Sequence, residues 1–231
     1  MNMKKKWIKE IKNKFCLMRD LPKSIYFNYK CLPREQAKKL PIQVRWNIKL
    51  GNLKKGCVEI RSDQIEHNMI KIGYQGAQFI SKDSSYINIM EGGKLIFEGN
   101  SIIAEGCNIC ISSGIVIIGK HFYANRNLQI QCNESICFGD DVLLGWNVKI
   151  RDTDGHEVLV DGIGNPCTEK IHICNHVWVA SDTTILKGTY IDDNCIIACG
   201  SIVCGSKFKV KNCLIAGIPA QIKKEKIEWI E

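Results

Sequence analysis

From Ile173 onward, apolar residues recur at a strict interval of six: Ile173, Val179, Ile185, Ile191, Ile197 and Val203. Four residues after each of the first five stands a small or β-branched residue: Val177, Thr183, Thr189, Cys195 or Ser201. An amphipathic helix repeats about every 3.6 residues and a half-buried strand about every 2, so neither explains this interval. Hexapeptide periodicity is the signature of a parallel β-helix, each unit making one short strand and one turn. Three such sides close a coil, with the aliphatic residue of each side pointing at the axis.

The pattern extends backwards less evenly. Phe97, Ile103 and Ile109 open one coil, Ile118, Ala124 and Ile130 the next, and Phe138, Leu144 and Ile150 a third. These coils start 21 and 20 residues apart rather than 18, which places extra residues at corners. After Ile150 the pattern breaks, and DTDGHEVLVDGIGNPCTEKIH (152–172) leaves the helix as a protruding loop. Long irregular excursions from a regular scaffold commonly carry function. After Val203 the spacing slips by one to Val210, and the chain closes with CLIAGIPAQIKK and EKIEWIE.

Upstream, VEI, MIKIG and YINIMEGGKLIFEG read as strands between glycine turns from about Val58. Pro22, Pro33 and Pro41 punctuate short helical or turn pieces, and residues 4–19 place Trp7, Ile11, Phe15 and Met18 on one lysine-flanked helical face. The expectation is an all-β chain: a basic, partly helical extension over 1–57, a β-helix domain over 58–222, and a tail over 223–231.

Charge sharpens this division. Residues 1–55 carry 16 Lys/Arg against 3 Asp/Glu, a net of +13, whereas the remainder carries 16 against 21, a net of −5. The first helix is therefore expected either to cap the first coil, as solenoids require, or to lie on an anionic membrane through residues 1–20. The longest unbroken run of aliphatic residues, Ile115 to Ile118, is too short to span a bilayer. Lysines interrupt the core a signal peptide would need, so a cytoplasmic protein is expected, peripheral at the inner membrane face. Of the 13 cysteines, Cys107 and Cys110 form a CxxC with no second pair at zinc-finger spacing. The cysteines are expected to pack as small hydrophobes, and neither a metal site nor nucleic-acid binding is expected.

The segment HVWVASDTTILKGTYIDDNCIIACGSIV, followed by AGIPAQIKK, resembles the hexapeptide-repeat acyltransferases with a left-handed parallel β-helix. GKHFYANRN (119–127) and GWNVKIRDTDGHE (145–157) extend the likeness over roughly residues 90–225. Residues 1–57 resemble the extension on members that modify cell-surface polysaccharides. The resemblance implies the left hand, a homotrimer with sites between subunits, and acetyl-CoA as acyl donor. It implies a saccharide or lipid-linked oligosaccharide as acceptor, from capsule, exopolysaccharide or lipopolysaccharide.

Moving an acyl group from a thioester to a hydroxyl requires a group that takes the hydroxyl proton, and imidazole suits that task near neutral pH. His156 stands where the coil gives way to the loop and matches the family's catalytic histidine. Asp152 and Asp154 precede it; a carboxylate on one ring nitrogen would fix the tautomer, and the competing role for both is to cap the turn. Asp154 falls on an inward-type hexapeptide position. Trp178 is a candidate oxyanion donor through its indole N–H. The resemblance implies a donor track along Ala180, Ser181, Ala198 and Cys199, with Lys223 and Lys224 at the nucleotide end. Cys204 and Gly205 replace the Thr-Lys of many members. Asn125, Trp146 and Asp152 are the acceptor-side candidates.

Three alternatives stay open on sequence alone. A γ-carbonic-anhydrase-like metal enzyme would need a third histidine beside His121 and His156, and Asp161 stands where it is expected. A non-catalytic β-helix scaffold is the second. N-acetylation of an amino sugar, or acetylation of a small molecule, is the third.

Overall fold

The aliphatic residues of the six-residue interval stack one coil above another in register. Ile103, Ala124, Leu144, Val179 and Ile197 pair in succession along a first face. Ile109, Ile130, Ile150, Ile185 and Val203 do so along a second, and Phe97, Ile118, Phe138, Ile173 and Ile191 along a third. All of them are buried. The computed structural model describes residues 18–74 and 84–230. Within these, the three faces are sheets of nine, seven and seven strands, parallel except for the last strand of the first, and together they form a left-handed parallel β-helix. A separate two-stranded sheet projects from it.

The small residue of each hexapeptide sits inside a corner. The Thr183 and Thr189 hydroxyls turn back to donate to the Ala180 and Leu186 carbonyls at 2.8 and 2.7 Å. Both side chains are buried with their one polar group satisfied. The corner between the first and second faces repeats a left-handed backbone at Asn127 (φ 62°), Asn147 (57°), Asp182 (60°) and Gly200 (71°). These residue types tolerate that conformation at least cost.

Three boundaries differ from the sequence expectation. The parallel ladder begins at Ile42–Val44, which pairs with Ile70–Tyr74, so it starts ahead of residue 58. After Val203 the inward residue is Phe208, paired with Ile191, while Val210 is exposed; the last corner is shortened rather than lengthened. The tail does not begin at 223, because Ala220–Glu225 is a strand antiparallel to Cys213–Gly217 and closes that end of the prism.

The opposite end is closed by a helix whose described part covers 18–31. The expected helical face at Trp7, Ile11 and Phe15 lies outside the described residues. Ile42–Val44 has a neighbouring strand on one side only, and its other edge would leave peptide groups without partners. Asn28 supplies them: its Nδ2 donates to Ile42 O at 2.6 Å and its Oδ1 accepts Ile42 N–H at 3.1 Å. Ser24 Oγ accepts Val44 N–H at 2.9 Å, and Asp20 Oδ1 accepts Trp46 N–H at 3.1 Å. Four helix residues per two strand residues keep the two rows in step, since they advance about 6 and about 6.6 Å respectively.

Removing a buried amide that satisfies two peptide groups leaves both desolvated and unpaired. Asn28→Ala is expected to lower unfolding stability by roughly 2–4 kcal/mol, read by urea denaturation. Ile185→Ala in mid-prism is expected to cost about 2–5 kcal/mol, read in the same way.

Candidate active site

The excursion after Arg151 is an arm with a clamped base. Asp152 occupies the position that Cys132 holds one coil earlier, pointing inward and fully buried. Its carboxylate accepts the backbone N–H groups of Asn133, Glu134 and Ser135, each at 2.8 Å, and the Cys132 thiol at 3.3 Å. Burial first, and then the Asp152 charge, push the Cys132 thiol above its ordinary value, so it stays protonated and donates. Glu169 N–H returns to Asp152 O at 3.0 Å, Asp154 N–H to Cys167 O at 3.0 Å, and Thr153 bridges Thr168. Lys187, from the next coil, holds the Asp154 carboxylate at 2.6 Å and donates to Pro166 O.

Beyond the clamp, Val158–Val160 and Ile163–Asn165 pair as an antiparallel hairpin. Its two-residue turn, Asp161-Gly162, has φ of 51° and 76°, values that suit a tight hairpin with right-handed strand twist. The arm exposes Val158, Leu159 and Ile163 by 48%, 63% and 73%. His156 lies between the clamp and the hairpin, exposed, and its ring has no hydrogen-bond partner among the described residues.

A second feature runs along the edge between the first and second faces. Trp178, Ile196 and Leu214 form an outward row on the first face, and with Ala180, Ser181, Ala198 and Cys199 they line a groove of about 470 Å³. Its walls are apolar and its edge residues small. The edge is tightly stacked: a Cβ on Gly145 would fall 2.6 Å from Ser181 N, and Trp146 N–H donates to Ser181 Oγ at 3.1 Å. The Trp178 indole N–H has no hydrogen-bond partner among the described residues, and its ring packs 6.1 Å from Trp229. Trp229 stacks on His176 at 4.1 Å and donates to His176 O at 3.1 Å, which ties the C-terminal residues beside the groove.

The residues singled out in the sequence therefore fall into two groups. Trp178, Ala180, Ser181, Ala198 and Cys199 come together, and Lys224 extends their row because it pairs with Leu214; Lys223 is its neighbour on the same strand. Asn125 and Trp146 lie on the same edge in preceding coils. Asn125 Oδ1 accepts Arg126 N–H at 3.0 Å, and the Trp146 ring is part-exposed. His156 and Asp154 stand apart, at the corner between the second and third faces.

Two expectations are corrected. Asp152 is not an acceptor-side residue, because its carboxylate is buried and taken up by backbone amides. Asp154 is outward rather than inward and holds Lys187, with no bond to His156. The sequence reading also passed over Trp229, the aromatic residue in the charged EKIEWIE, and the Asp161-Gly162 hairpin signal. His121 bonds Asp141 at 3.0 Å at the corner between the third and first faces, on a different edge from His156.

No family model matches the chain. Over 110 residues it is 38% identical to galactoside O-acetyltransferase of Escherichia coli K12, covering 47% of this chain and 53% of that protein. Over 159 residues it is 31% identical to an uncharacterized 24.8 kDa protein in the cps region of Klebsiella pneumoniae, covering 68% and 70%. Over 109 residues it is 34% identical to polysialic acid O-acetyltransferase of Neisseria meningitidis, covering 46% and 51%. The chain thus spans about half the length of the two named enzymes. The crystal structure of the polySia-specific acetyltransferase NeuO shares the fold with a TM-score of 0.64 at 22% identity, covering 87% of this chain and 83% of that one.

The clamp gives Asp152 a structural role with a distinct signature. Asp152→Asn replaces charged acceptors by one carbonyl and is expected to cost about 1.5–3 kcal/mol in thermal or urea unfolding. Asp154→Asn, exposed and holding one lysine, is expected to cost under about 1 kcal/mol in the same measurement.

Proposed function

Since the chain belongs to the hexapeptide-repeat acyltransferase family, we propose that it is an acetyl-CoA-dependent O-acetyltransferase. Its acceptor is a sugar hydroxyl of a cell-surface polysaccharide or of a lipid-linked precursor. The observation that carries this reading is the pairing of an apolar, small-edged groove with an unengaged imidazole on a projecting arm. The groove suits a thin, uncharged pantetheine chain: Ala180, Ser181, Ala198 and Cys199 keep the backbone approachable, and Trp178, Ile196 and Leu214 supply apolar contact. Lys223 and Lys224 are the cations for the donor's phosphates.

Groove and imidazole lie on different edges of one prism, so a single copy does not assemble the site. A cyclic trimer places one edge of each copy against another edge of the next. The exposed apolar residues of the arm, together with the outward row on the first face, favour such an association. His156 of one copy then works at the groove of its neighbour.

In this reading His156 accepts the proton of the attacking hydroxyl as the C–O bond forms at the thioester carbonyl. Trp178 N–H donates to the carbonyl oxygen as it gains charge. The C–S bond then breaks, and His156 returns the proton to the departing thiolate. Asn125 and Trp146 orient the sugar at the shared edge. The basic segment preceding the first coil holds the enzyme near lipid-linked acceptors at an anionic inner membrane face. None of the helices in the described residues is long and apolar enough to cross a bilayer.

Because His156 is exposed and unbonded, His156→Ala is expected to leave unfolding unchanged while lowering kcat by about 10²–10⁴-fold. The readout is thiol release from acetyl-CoA across a panel of oligosaccharides. Turnover unaltered by that substitution would remove the proposed base.

A further inference from the structure

The helix that closes the first end of the prism is apolar on both sides. Its inner side packs Phe27 and Cys31 into the core and aligns Ser24 and Asn28 with the edge of Ile42–Val44. The helix thus takes the place of one more strand, so its opposite side looks along the prism axis, away from the stack. That side carries a row at Met18, Pro22, Ile25 and Tyr29, the spacing of one helical face, flanked by Leu21 and Tyr26. Met18 is exposed by 74%, Tyr26 by 54% and Tyr29 by 46%. A surface helix ordinarily turns its charged residues to water, whereas this one turns aliphatic and aromatic residues there.

Charge around the row is of one sign. From Met18 to Arg34 the one acid is Asp20, which is buried and bonded to Trp46 N–H and the Tyr74 hydroxyl. Arg19, Lys30 and Arg34 are exposed, and Lys55 Nζ donates to Tyr29 O at 3.0 Å. The Arg19 guanidinium lies 5.0 Å over the ring of Trp46, which is itself exposed and adds an indole beside the start of the row. Residues 1–17, outside the described residues, lead into Met18 and carry six lysines against one glutamate.

We propose that this outward face docks the prism end-on against an anionic lipid bilayer. The acyl boundary takes up Met18 and Ile25. Tyr26, Tyr29 and Trp46 keep their polar tips at the level of the head groups, and Arg19 and Lys30 meet lipid phosphates. A nucleic acid would satisfy the cations but leave the aliphatic row in water. Five strand steps of about 4.8 Å separate Ile42–Val44 from Trp178–Val179 on the first face, which sets the donor groove about 24 Å further from the lipid than the end strand. The inference gives the membrane contact proposed above its surface. It rests on that reading for its bearing on acetyl transfer, which then reaches sugars held away from a lipid anchor rather than those joined to it.

The test is flotation of the full chain with vesicles of phosphatidylcholine and phosphatidylglycerol, or of phosphatidylcholine alone, at physiological ionic strength. The mixed vesicles are expected to carry the protein and the neutral ones to carry little. Ile25→Ser combined with Tyr29→Ser leaves the charge unchanged and is expected to weaken partitioning at least about tenfold, with an unaltered urea unfolding curve. Ile218→Ser, exposed at the opposite end of the prism, is expected to bind as the parent does. Undiminished binding in the double variant would overturn the proposal by leaving the whole affinity to the lysines. Equal loss in Ile218→Ser would overturn it by showing diffuse adhesion, and equal binding to neutral vesicles would remove the anionic partner. A smaller assembly for the double variant in analytical ultracentrifugation would overturn it too, because the face then meets another copy. Neither acyl donor nor acceptor enters these measurements, so loss of acetyl transfer with vesicle binding intact counts against the enzymatic reading alone.

Discussion

Main-chain pairing between successive coils is the constraint on which everything else depends. Each short strand finds its peptide partners one coil earlier and one coil later, so a residue's position along a face dictates whether it points inward or outward. Ile130 is buried because Ile109 and Ile150 are its registered neighbours. The same rule leaves two open ends where the ladder runs out of partners. At one end the antiparallel strand Ala220–Glu225 turns the chain back on itself. At the other, side chains of a helix imitate a strand, with Asp20, Ser24 and Asn28 standing in for missing peptide groups.

Regular coils were legible from sequence because inward positions admit few residue types. The interval from Ile173 to Val203 predicts pairings that the structure contains, and the same holds for coils opening at Phe97, Ile118 and Phe138. Legibility failed where polar side chains replaced backbone or where a corner changed length. Asp20, Ser24 and Asn28 recur every four residues, yet nothing local says that their partners lie on a strand some 20 residues onward. Asp154 looked inward because it follows Ile150 by four, the usual corner position. The chain had already turned away after Asp152, whose bonds to Asn133, Glu134 and Ser135 depend on the preceding coil. Phe208 and Val210 competed for one inward place, and the shortened corner after Val203 chose between them.

The candidate site was legible residue by residue but not as an arrangement. Trp178, Ala180 and Ala198 meet because a coil near the end of the prism is 18 residues long, which the interval does announce. Their separation from His156 follows from the prism having three edges, with the arm leaving from a different one. On the proposed mechanism a monomer with this division of parts holds two half-sites, and the apolar outward row of the first face is the surface offered to another copy.

The clamp at the base of the arm has a consequence for how such a fold diversifies. Thr153 and Thr168 meet across the neck, Asp152 ties the preceding coil to it, and Lys187 ties the following one. The hairpin beyond His156, from Val158 to Asn165, is therefore anchored to the coils above and below only through this neck. A change in the length or tip of that hairpin therefore leaves the neck contacts, and with them the register of the stack on either side, in place.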